Sequence, residues 1–440
     1  MAKKKQIELT IEEKLQNALV PKEEQPYKIP SNWCWSYWKY CGKFIAGNGF
    51  KNIYQGFTQY DIPYYKVGSL KFCDEGNYLI DETNTINEEI RTKLKAVKIP
   101  VNSIIFAKIG EAIKLNRRCL NKIECCIDNN LMAFISEKYF YKYIFYWTKS
   151  LNFYELTNAT TVPALRKTDL ENIPIPLPPL NEQQRIVNRI ESLFVKLDRA
   201  KELIENTLAQ FEQNKMAILH KAFTGELTAK WRKENNIDLS SWQEKTIDEL
   251  CTSLKYGTSK KSKLEGSVVV LRMGNLQNGE IDWSNLMYTD DKDDIEKYLL
   301  KKGDVLFNRT NSPELVGKTS IYRGEYPAIY AGYLIKLDYG KDIIGEYLNY
   351  MMNSTKAKHY CYTVKTDGVS QSNINAKKIG AFEIPVPTIE EQQEIVNILD
   401  KLLAKYNKIK NLEQQLEKIE LLKKAILAKA FRGELGTNNP

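Results

Sequence analysis

The sequence predicts an α+β fold: two similar strand-rich domains are separated by two long helices that pair as an antiparallel coiled coil. A motif that occurs twice, half a chain apart, supports this prediction, as does the helical periodicity that follows each copy. The length of 440 residues is the third observation, because it exceeds what a single hydrophobic core organises and favours several domains.

The repeated motif marks a duplicated chain. Residues 175–188 read Ile-Pro-Leu-Pro-Pro-Leu-Asn-Glu-Gln-Gln-Arg-Ile-Val-Asn, and residues 384–397 read Ile-Pro-Val-Pro-Thr-Ile-Glu-Glu-Gln-Gln-Glu-Ile-Val-Asn. Farther along, Lys-Ala-Phe-Thr-Gly-Glu-Leu at 221–227 returns as Lys-Ala-Phe-Arg-Gly-Glu-Leu at 429–435. Internal self-similarity of this kind is the signature of a repeated structural unit, so we expect one unit in each half of the chain.

Weaker matches in the regions between these motifs predict the strand-rich domains. Residues 103–108 and 304–309 are short apolar runs bounded by polar residues, which is the pattern of a buried strand. The segment 66–70 parallels 272–276, and each of the four segments has a basic residue at one end. A domain of lower similarity therefore precedes each copy of the motif.

Each motif leads into a predicted long helix. Its prolines end the preceding structure, since proline lacks the backbone donor of a strand ladder and biases its neighbour toward extended backbone. Apolar residues then recur mostly at spacings of three and four, and Gly225 and Gly433 stand where a helix would end. Each helix is expected to run about forty residues, or roughly 60 Å at ~1.5 Å per residue.

A helix of that length with a narrow apolar stripe needs a partner for the stripe. Each stripe could pack on its own globular domain or on a second copy of the chain. We expect instead that the two stripes pair with each other, because the two copies match so closely. An antiparallel pairing would place the strand-rich domains at opposite ends of a rod.

Composition and charge predict a cytoplasmic protein and only weakly favour a polyanionic partner. No stretch approaches the ~20 apolar residues of a membrane span, and no apolar run follows the N-terminal lysines as it would in a secretory signal. The 64 Lys and Arg outnumber the 55 Asp and Glu, for a net charge of +9. The eight cysteines include no Cys-x-x-Cys pair and the two histidines lie far apart, so we expect reduced, mostly buried thiols and no metal site.

Motifs of known enzyme classes are incomplete or absent. Residues 317–319 match the end of a phosphate-binding P-loop, but Ser312 occupies the position of its first glycine. The sequence has neither the Asn/Asp-Pro-Pro-aromatic motif of adenine methyltransferases nor a convincing Ser/His/Asp or Cys/His set. The acidic run 290–294 is expected to be a solvated loop rather than a metal site. We therefore expect no catalytic residues.

The order of the motifs resembles that of the specificity subunits of type I restriction–modification systems. The resemblance rests on the proline-rich Glu-Gln-Gln segment 173–184, on segment 221–227, and on their second copies. Segments 104–113 and 307–318 are also similar to variants in that family, and the likeness extends from about Tyr27 to Leu435. Because several motifs recur twice in the right order, we regard the resemblance as specific.

The resemblance implies two target recognition domains and two helical spacers. The expected order is a leader (1–25), target recognition domain 1 (26–178), helical spacer 1 (179–225), a linker (226–240), target recognition domain 2 (241–387), helical spacer 2 (388–433) and a tail (434–440).

In function, the resemblance implies a non-catalytic DNA-binding subunit that reads a bipartite site, with one domain for each half-site. The implied partners are double-stranded DNA, two adenine methyltransferase subunits docked on the helical spacers and, for restriction, two ATP-dependent motor-nuclease subunits. S-adenosylmethionine, ATP and magnesium are expected only in those subunits. The predicted rod of roughly 60 Å is compatible with major-groove faces ~34 Å apart.

Three other functions are compatible with the sequence. The chain could be a coiled-coil scaffold whose end domains bind proteins, or an enzyme with an unfamiliar site. It could also be the specificity subunit of a methylation-only complex. DNA affinity that falls steeply with salt would favour the DNA-binding alternatives, because protein cations that neutralise phosphates release counterions.

The candidate DNA contacts are basic and amide side chains in or beside loops that flank predicted strands. Arg and Lys suit guanine, and Asn and Gln suit adenine, whereas phosphate contacts hold the register. For each candidate, a solvated or ion-paired surface role is the alternative. Polar segments 158–162 and 366–373 are expected to be turns near the duplex. The candidates are Lys66, Lys108, Lys114, Asn116, Arg117 and Arg118 in the first domain, and Lys260, Lys261, Arg272, Asn275, Arg309, Asn311, Lys318, Gln371 and Asn373 in the second.

Overall fold

The computed structural model describes residues 11–137, 139–157, 162–404 and 410–437. The chain forms two compact units. Unit 1 comprises Met1–Leu203 with Gln414–Pro440, and unit 2 comprises Ile204–Glu413. Each unit therefore combines one strand-rich region with parts of the long helical segments. The domain boundaries expected from the sequence had assigned these helical segments to separate spacers.

The secondary structure of the first half of the chain ends in one long helix. Its elements are α1 (Ile11–Ala18), β1 (Cys34–Tyr37), β2 (Gly42–Ala46), β3 (Ile62–Tyr65), β4 (Thr85–Ile86), α2 (Glu88–Leu94), β5 (Ile104–Ala107), β6 (Arg118–Leu120), β7 (Cys126–Ile127), β8 (Leu131–Ser136), α3 (Tyr141–Ser150), α4 (Lys167–Glu171), β9 (Pro174–Leu177) and α5 (Leu180–Phe223).

The second half follows the same plan with additional short strands. Its elements are α6 (Ala229–Glu234), β10 (Gln243–Thr246), α7 (Ile247–Leu250), β11 (Cys251–Tyr256), β12 (Val268–Leu271), β13 (Leu276–Gln277), β14 (Glu280–Ile281), β15 (Tyr288–Thr289), α8 (Lys292–Tyr298), β16 (Val305–Asn308), β17 (Thr310–Asn311), β18 (Thr319–Ile321), β19 (Ala328–Tyr330), β20 (Leu334–Tyr339), α9 (Gly345–Met352), α10 (Thr355–Val364), β21 (Thr366–Asp367), β22 (Ser372–Asn373), α11 (Ala376–Gly380), β23 (Glu383–Val386), α12 (Ile389–Ala404) and α13 (Lys410–Phe431).

Sheet topology confirms the duplication. Unit 1 has a four-stranded antiparallel sheet in the order β2-β8-β5-β6, and unit 2 has the same sheet in the order β11-β20-β16-β18. A three-stranded sheet recurs as β4-β3-β7 and β15-β12-β19, each with one parallel pair. The pair β1-β9 recurs as β10-β23, and unit 2 also contains the sheets β13-β14 and β17-β22-β21.

One of the two central strands in each four-stranded sheet, β5 and β16 respectively, is an apolar run identified in the sequence. All four residues of β5 and all four residues of β16 are buried, which confirms the prediction of buried strands. The core of unit 1 surrounds Trp38. The ring centroid of Trp38 lies within 5.0 Å of the ring centroids of Phe44, Phe134 and Trp147. These cores hold in place the loops at the strand ends.

The long helices pair in antiparallel fashion within unit 1. Asp198 of α5 forms an ion pair with Lys423 of α13, and Lys201 pairs with Glu420 at 3.7 Å between Nζ and Oε1. Partner numbers fall as the α5 numbers rise, so the helices run in opposite directions. The second helical spacer is described as α12 and α13, and residues 405–409 lie outside the described residues. No helix in the described ranges is long and apolar enough to cross a membrane.

The end of each long helical segment packs on a strand-rich region. The end of α13 packs on the first such region, which is distant in sequence, and the end of α5 packs on the second, which follows it. Within unit 1, Phe431 contacts Tyr143 with 5.3 Å between ring centroids. Within unit 2, Phe223 contacts Tyr347 at 5.4 Å. Both terminal glycines have positive φ, +79° at Gly225 and +76° at Gly433, the left-handed backbone that glycine adopts at little steric cost.

Two segments that the sequence left outside the domains pack against them. At the end of the expected leader, Val20 is buried and its backbone N–H donates to the carbonyl of Trp35 at 3.1 Å. The expected linker contains α6, whose Arg232 is buried and bonded to Glu391. Local sequence patterns do not predict either contact, because Val20 and Trp35 are separated by a turn and Arg232 and Glu391 are far apart in the chain.

Two further expectations are wrong in part. Cys73 and Cys119 form a disulfide, since the approach of β6 to the segment after β3 brings them together across 46 residues of sequence; the other six cysteines are free thiols. The acidic run is only partly a solvated loop, since Asp290, Lys292 and Asp293 are exposed but α8 begins at Lys292. Asp291 caps the N-terminus of α8, and Asp294 is buried and accepts a hydrogen bond from Thr258.

Candidate nucleic-acid interface

The Glu-Gln-Gln motif joins the start of α5 to unit 1. Glu182 is buried and accepts hydrogen bonds from the indole Nε1 of Trp33 and from the amide of Asn32, each at 3.0 Å. Gln183 donates to the carbonyl of Pro178 at 2.9 Å and accepts from the backbone N–H of Phe140 at 3.1 Å. The motif therefore fixes the helix to the domain, and this role explains its close repetition.

The second copy makes the equivalent contacts in unit 2. Glu391 accepts from the indole Nε1 of Trp242 at 2.8 Å, and Gln392 donates to Pro387 at 2.9 Å and accepts from Ile344 at 2.9 Å. Unit 2 adds two donors to the same carboxylate, namely the hydroxyl of Thr228 and the guanidinium of Arg232. Each strand-rich domain is thus held rigidly against its helix.

Two candidate residues occupy equivalent positions just beyond the central strands. Lys108 follows β5, and its carbonyl accepts from the N–H of Leu165 at 2.8 Å. Arg309 follows β16, and its carbonyl accepts from the N–H of Ile374 at 2.8 Å. Both side chains are half-exposed. The repeated scaffold therefore presents a cation at the same position in both units, a lysine in unit 1 and an arginine in unit 2.

Arg309 lies at the centre of a polar surface in unit 2. Its guanidinium carbon is 4.7 Å from the ring centroid of Tyr256, and its Nη2 donates to Oδ1 of Asn373 at 3.1 Å. The strand pairs Thr310–Asn373 and Asn311–Ser372 bring Asn311 to the same small sheet. We call Arg309, Tyr256, Asn311, Gln371 and Asn373 the Arg309 surface. The structure thus brings together four of the predicted candidates.

A β-hairpin forms the outer part of this surface. Strands β21 and β22 are antiparallel, and the N–H of Gly368 donates to the carbonyl of Gln371 at 2.7 Å, which closes the turn. Asn373 at the base donates from its amide to the hydroxyl of Thr310 at 2.7 Å. Segment 366–373 was expected to be a polar turn, and the structure describes it as an ordered hairpin. Of the matching segment in unit 1, residues 158–161 lie outside the described residues.

Several of the remaining candidates of unit 2 have partners within the unit. Lys260 forms ion pairs with Asp291 at 2.7 Å and Asp294 at 3.5 Å, and Lys318 donates to Oε1 of Gln277 at 2.9 Å. Lys261 is exposed. The carboxylates raise the pKa of Lys260 through hydrogen bonding, chiefly with Asp291.

Arg272 and Asn275 stabilise a local turn. Asn275 is buried: its Oδ1 accepts from the backbone N–H of Arg272 at 2.9 Å, and its amide donates to the carbonyls of Asp282 and Ser284. The guanidinium of Arg272 donates to the carbonyl of Asn285 at 2.6 Å. The amide of Asn275 already has these partners, so the structure gives it a structural role that the sequence did not indicate.

Two candidates of unit 1 are likewise engaged inside the domain. Arg118 is buried with its guanidinium carbon 3.8 Å from the ring centroid of Phe153, and it donates to the carbonyls of Asn116 and Leu151. Burial lowers the pKa of Arg118 to about 9. The amide of Asn116 donates to the carbonyl of Leu151 at 3.0 Å.

The other candidates of unit 1 lie nearer to solvent. Arg117 is exposed, Lys114 is exposed and paired with Glu111 at 2.7 Å, and Lys66 donates to Oε1 of Gln55 at 2.8 Å. Surface ion pairs are weak enough to exchange for contacts with phosphate. Lys66, Lys108, Lys114 and Arg117 therefore remain candidates.

The sequence-based candidates did not include Tyr256, and Val369 was covered only as part of segment 366–373, the polar turn expected near the duplex. Tyr256 supports the guanidinium of Arg309, although it ends a different strand, and Val369 is exposed at the turn of the hairpin. A basic residue attracts notice as a candidate for DNA contact, whereas an aromatic or aliphatic residue is assigned to the core by default. Only the fold shows that Tyr256 supports Arg309 and that Val369 is fully exposed.

Comparison with known families shows a match over most of the chain. The family model described as type I restriction modification DNA specificity domain matches residues 52–212 and 240–421, one match in each half. The EcoKI specificity subunit of a type I restriction enzyme from Escherichia coli (strain K12) is 28% identical over 286 residues, which are 64% of this chain and 61% of that subunit. The StySPI specificity subunit from Salmonella potsdam is 28% identical over 306 residues, 67% of this chain and 65% of that one.

The chain thus spans slightly less than two thirds of the length of these curated relatives. A chain from a solved structure of the type I R-M system superposes with a TM-score of 0.67 at 19% identity, and the match covers 93% of this chain and 100% of that one. At this level of identity the superposition shows a shared fold.

Proposed function

The chain belongs to the family of type I restriction–modification DNA specificity proteins, and we propose on that premise that it is the sequence-specific DNA-binding subunit of such a complex. Each strand-rich domain would read one half of a bipartite site. The proposal gives this chain no catalytic step, because methyl transfer and DNA cleavage would belong to partner subunits together with their S-adenosylmethionine, ATP and magnesium.

The observation that carries the proposal is the equivalence of Lys108 and Arg309. The same backbone position holds a half-exposed cation in each unit, yet the side chains differ. A duplicated scaffold with different side chains at the same place is suited to reading two different short sequences, since base identity is read by the side chain that reaches the groove.

Within unit 2, the Arg309 surface is the proposed base-reading site. Arginine can donate two hydrogen bonds to guanine, and the exposed amide of Gln371 can pair with adenine. The ring of Tyr256 limits the motion of the guanidinium, which reduces the entropy lost on binding. Exposed cations such as Lys261 and Arg117 are proposed to contact phosphate. Asn275, Asn116 and Arg118 are proposed to support these surfaces rather than to contact DNA.

The long helices are proposed to carry the docking sites of two adenine methyltransferase subunits and, in a restricting complex, to connect with two motor-nuclease subunits. Exposed aliphatic side chains on these helices support the proposal. Val195 on α5 is 67% exposed and Leu421 on α13 is 63% exposed, and both lie in unit 1. Aliphatic side chains at such positions contribute favourable energy when a partner covers them.

A domain exchange tests the proposal. Residues 26–172 would be replaced by the equivalent part of a family relative, and methylated adenines would be mapped across the genome of cells that also contain the methyltransferase subunits. We expect one half of the modified sequence to change and the other half to stay the same. The reciprocal exchange of the second domain is the matched control and should change the other half only.

A second measurement separates DNA reading from a protein-binding scaffold. The affinity of the complex for its mapped site should fall steeply between low and physiological salt, because neutralising phosphates releases counterions. An affinity that is independent of salt and of DNA sequence, together with an unchanged methylation map after both exchanges, would rule out the proposed function.

A further inference from the structure

The turn of the β21–β22 hairpin presents a single aliphatic side chain to solvent. Val369 has a relative exposure of 109%, so the rest of the protein covers none of it. Its neighbours in the turn, Gly368, Ser370 and Gln371, are exposed and polar or small. An isolated exposed apolar residue is common on proteins and means little by itself. The evidence for a role comes from the stem that holds it.

The stem of the hairpin is bonded on both strands. On β22, Ser372 is buried and Asn373 donates to Thr310 at 2.7 Å. On β21, Asp367 is ion-paired with Lys365, and the ammonium of Lys378 donates to the hydroxyl of Thr366 at 2.7 Å. These contacts hold the turn at a fixed place relative to Arg309, which bonds to the same Asn373. The side chain of Val369 is thus positioned by a rigid element.

The surroundings indicate what could cover Val369. The groups on the hairpin and at its base are hydrogen-bonding side chains: those of the Arg309 surface, the ion-paired Asp367 and Lys365, and Lys378, which bonds to Thr366. A protein interface would instead centre on a larger apolar patch. The major groove of DNA offers the opposite pattern, with isolated thymine methyl groups among hydrogen-bonding base edges, and it admits a two-stranded β-ribbon. The chemistry of the hairpin therefore matches this groove.

We propose that the β21–β22 hairpin enters the major groove and that Val369 packs against the 5-methyl group of a thymine in the half-site read by unit 2. This inference rests on the proposed function and deepens it by naming an apolar specificity contact. Arg309 and Gln371 would read hydrogen-bonding edges of the same half-site, and Val369 would distinguish thymine from cytosine, which has no methyl group.

Replacement of thymine by uracil tests the contact without changing the protein. The full complex would be titrated with duplexes that carry the mapped site, in which each thymine of this half-site is replaced in turn by uracil, and so loses only its methyl group. We expect one position at which affinity falls about fourfold, the effect of removing one buried methyl group.

The Val369→Ala variant completes a double-mutant cycle. The affinity of the variant for the thymine duplex should be lower than that of the wild-type complex by a similar factor. On the duplex with uracil at that position, the variant and the wild-type complex should bind with equal affinity, since the contact is already absent. Leu264→Ala is the matched control, because Leu264 is also an exposed aliphatic residue of unit 2 and should show no coupling to any thymine.

The outcomes separate this inference from the function on which it rests. Wild-type binding that is insensitive to every uracil, or losses that simply add in the cycle, would overturn the Val369 contact while leaving sequence-specific binding intact. Equal affinity for the mapped site and a scrambled duplex would instead overturn the proposed function, and the inference with it.

Discussion

Nη1 of Arg232 donates a hydrogen bond to Oε1 of Glu391 at 2.6 Å, and the two side chains are 9% and 0% exposed. The pair connects α6 to the first turn of α12 in unit 2. The same carboxylate also accepts from Trp242, so three parts of the unit meet at Glu391. In unit 1 the equivalent Glu182 accepts from the neutral donors of Trp33 and Asn32.

We predict that Glu391→Gln destabilises unit 2 more than Glu182→Gln destabilises unit 1. The first change leaves a buried guanidinium without its counter-charge, which costs about 3–5 kcal/mol. The second weakens hydrogen bonds to neutral donors, at a cost of about 1–2 kcal/mol. Hydrogen exchange of the backbone amides of each unit provides the measurement. Equal losses of protection in the two variants would contradict the prediction.

Arg309→Lys should lower the affinity for the mapped DNA site about 10- to 100-fold, because lysine keeps the charge but loses the planar fork that bonds two acceptors of one base. The affinity for non-specific duplex should change little. Arg323→Lys is the matched control, since Arg323 lies in unit 2 and pairs with Glu280 and Glu346. If Arg309→Lys weakened binding to all duplexes equally, Arg309 would contact phosphate instead.

Phe431→Ala should destabilise unit 1, although Phe431 lies near the end of the chain. Its ring is buried against Tyr143, and truncation of a buried phenylalanine costs about 3–5 kcal/mol. Leu421→Ala, on the same helix but largely exposed, should cost little. Urea unfolding of the two variants makes the comparison. A Phe431→Ala variant as stable as the wild-type chain would show that the packing of Phe431 on Tyr143 contributes little to the stability of unit 1.

Lys149 should make stability depend on alkaline pH. Burial lowers the pKa of its ammonium to about 8, and the positive charges of Arg118 and Lys423 act in the same direction, with Asp198 opposing them. The unfolded chain therefore binds more protons than the native one between about pH 8 and about pH 10.4, the ordinary lysine pKa, and stability rises with pH across this window.

The Lys149→Met variant isolates this effect. At pH 7 it should be more stable than the wild-type chain by up to about 3 kcal/mol, because the native state no longer holds a buried charge. The difference should shrink as the pH rises toward 10. The free energy of unfolding of both proteins, measured in urea from pH 7 to pH 10, gives the result. A difference that is constant with pH would mean that Lys149 is not a buried cation in the native state.

The sequence predicted much of the architecture because the relevant signals are local. Proline-rich runs, the spacing of apolar residues and the terminal glycines predicted α5 to within a few residues, and α5 is observed at Leu180–Phe223. The apolar runs at 103–108 and 304–309 predicted β5 and β16, since a buried strand excludes polar side chains along its length.

The candidate site was predicted less well. Lys108, Arg309 and Asn373 were identified from residue type, but the same criterion also selected Arg118 and Asn275, which are buried. A side chain's type does not reveal whether its hydrogen-bonding groups face solvent or a carbonyl of a distant loop. The contacts of Arg118 with Leu151 and of Asn275 with Ser284 depend on how the loops fold back.

By itself, the sequence determined that this chain is duplicated, that each copy leads into a long amphipathic helix, and which family it resembles, because repeats and periodicity are properties of sequence order. Only the tertiary structure decided that α13 from Gln414 onward belongs to unit 1, that Glu391 meets Arg232, and that Val369 stands exposed at the turn of a hairpin whose base bonds to Arg309. These relationships arise from packing between residues far apart in the chain, and their energies depend on burial, which sequence order does not record.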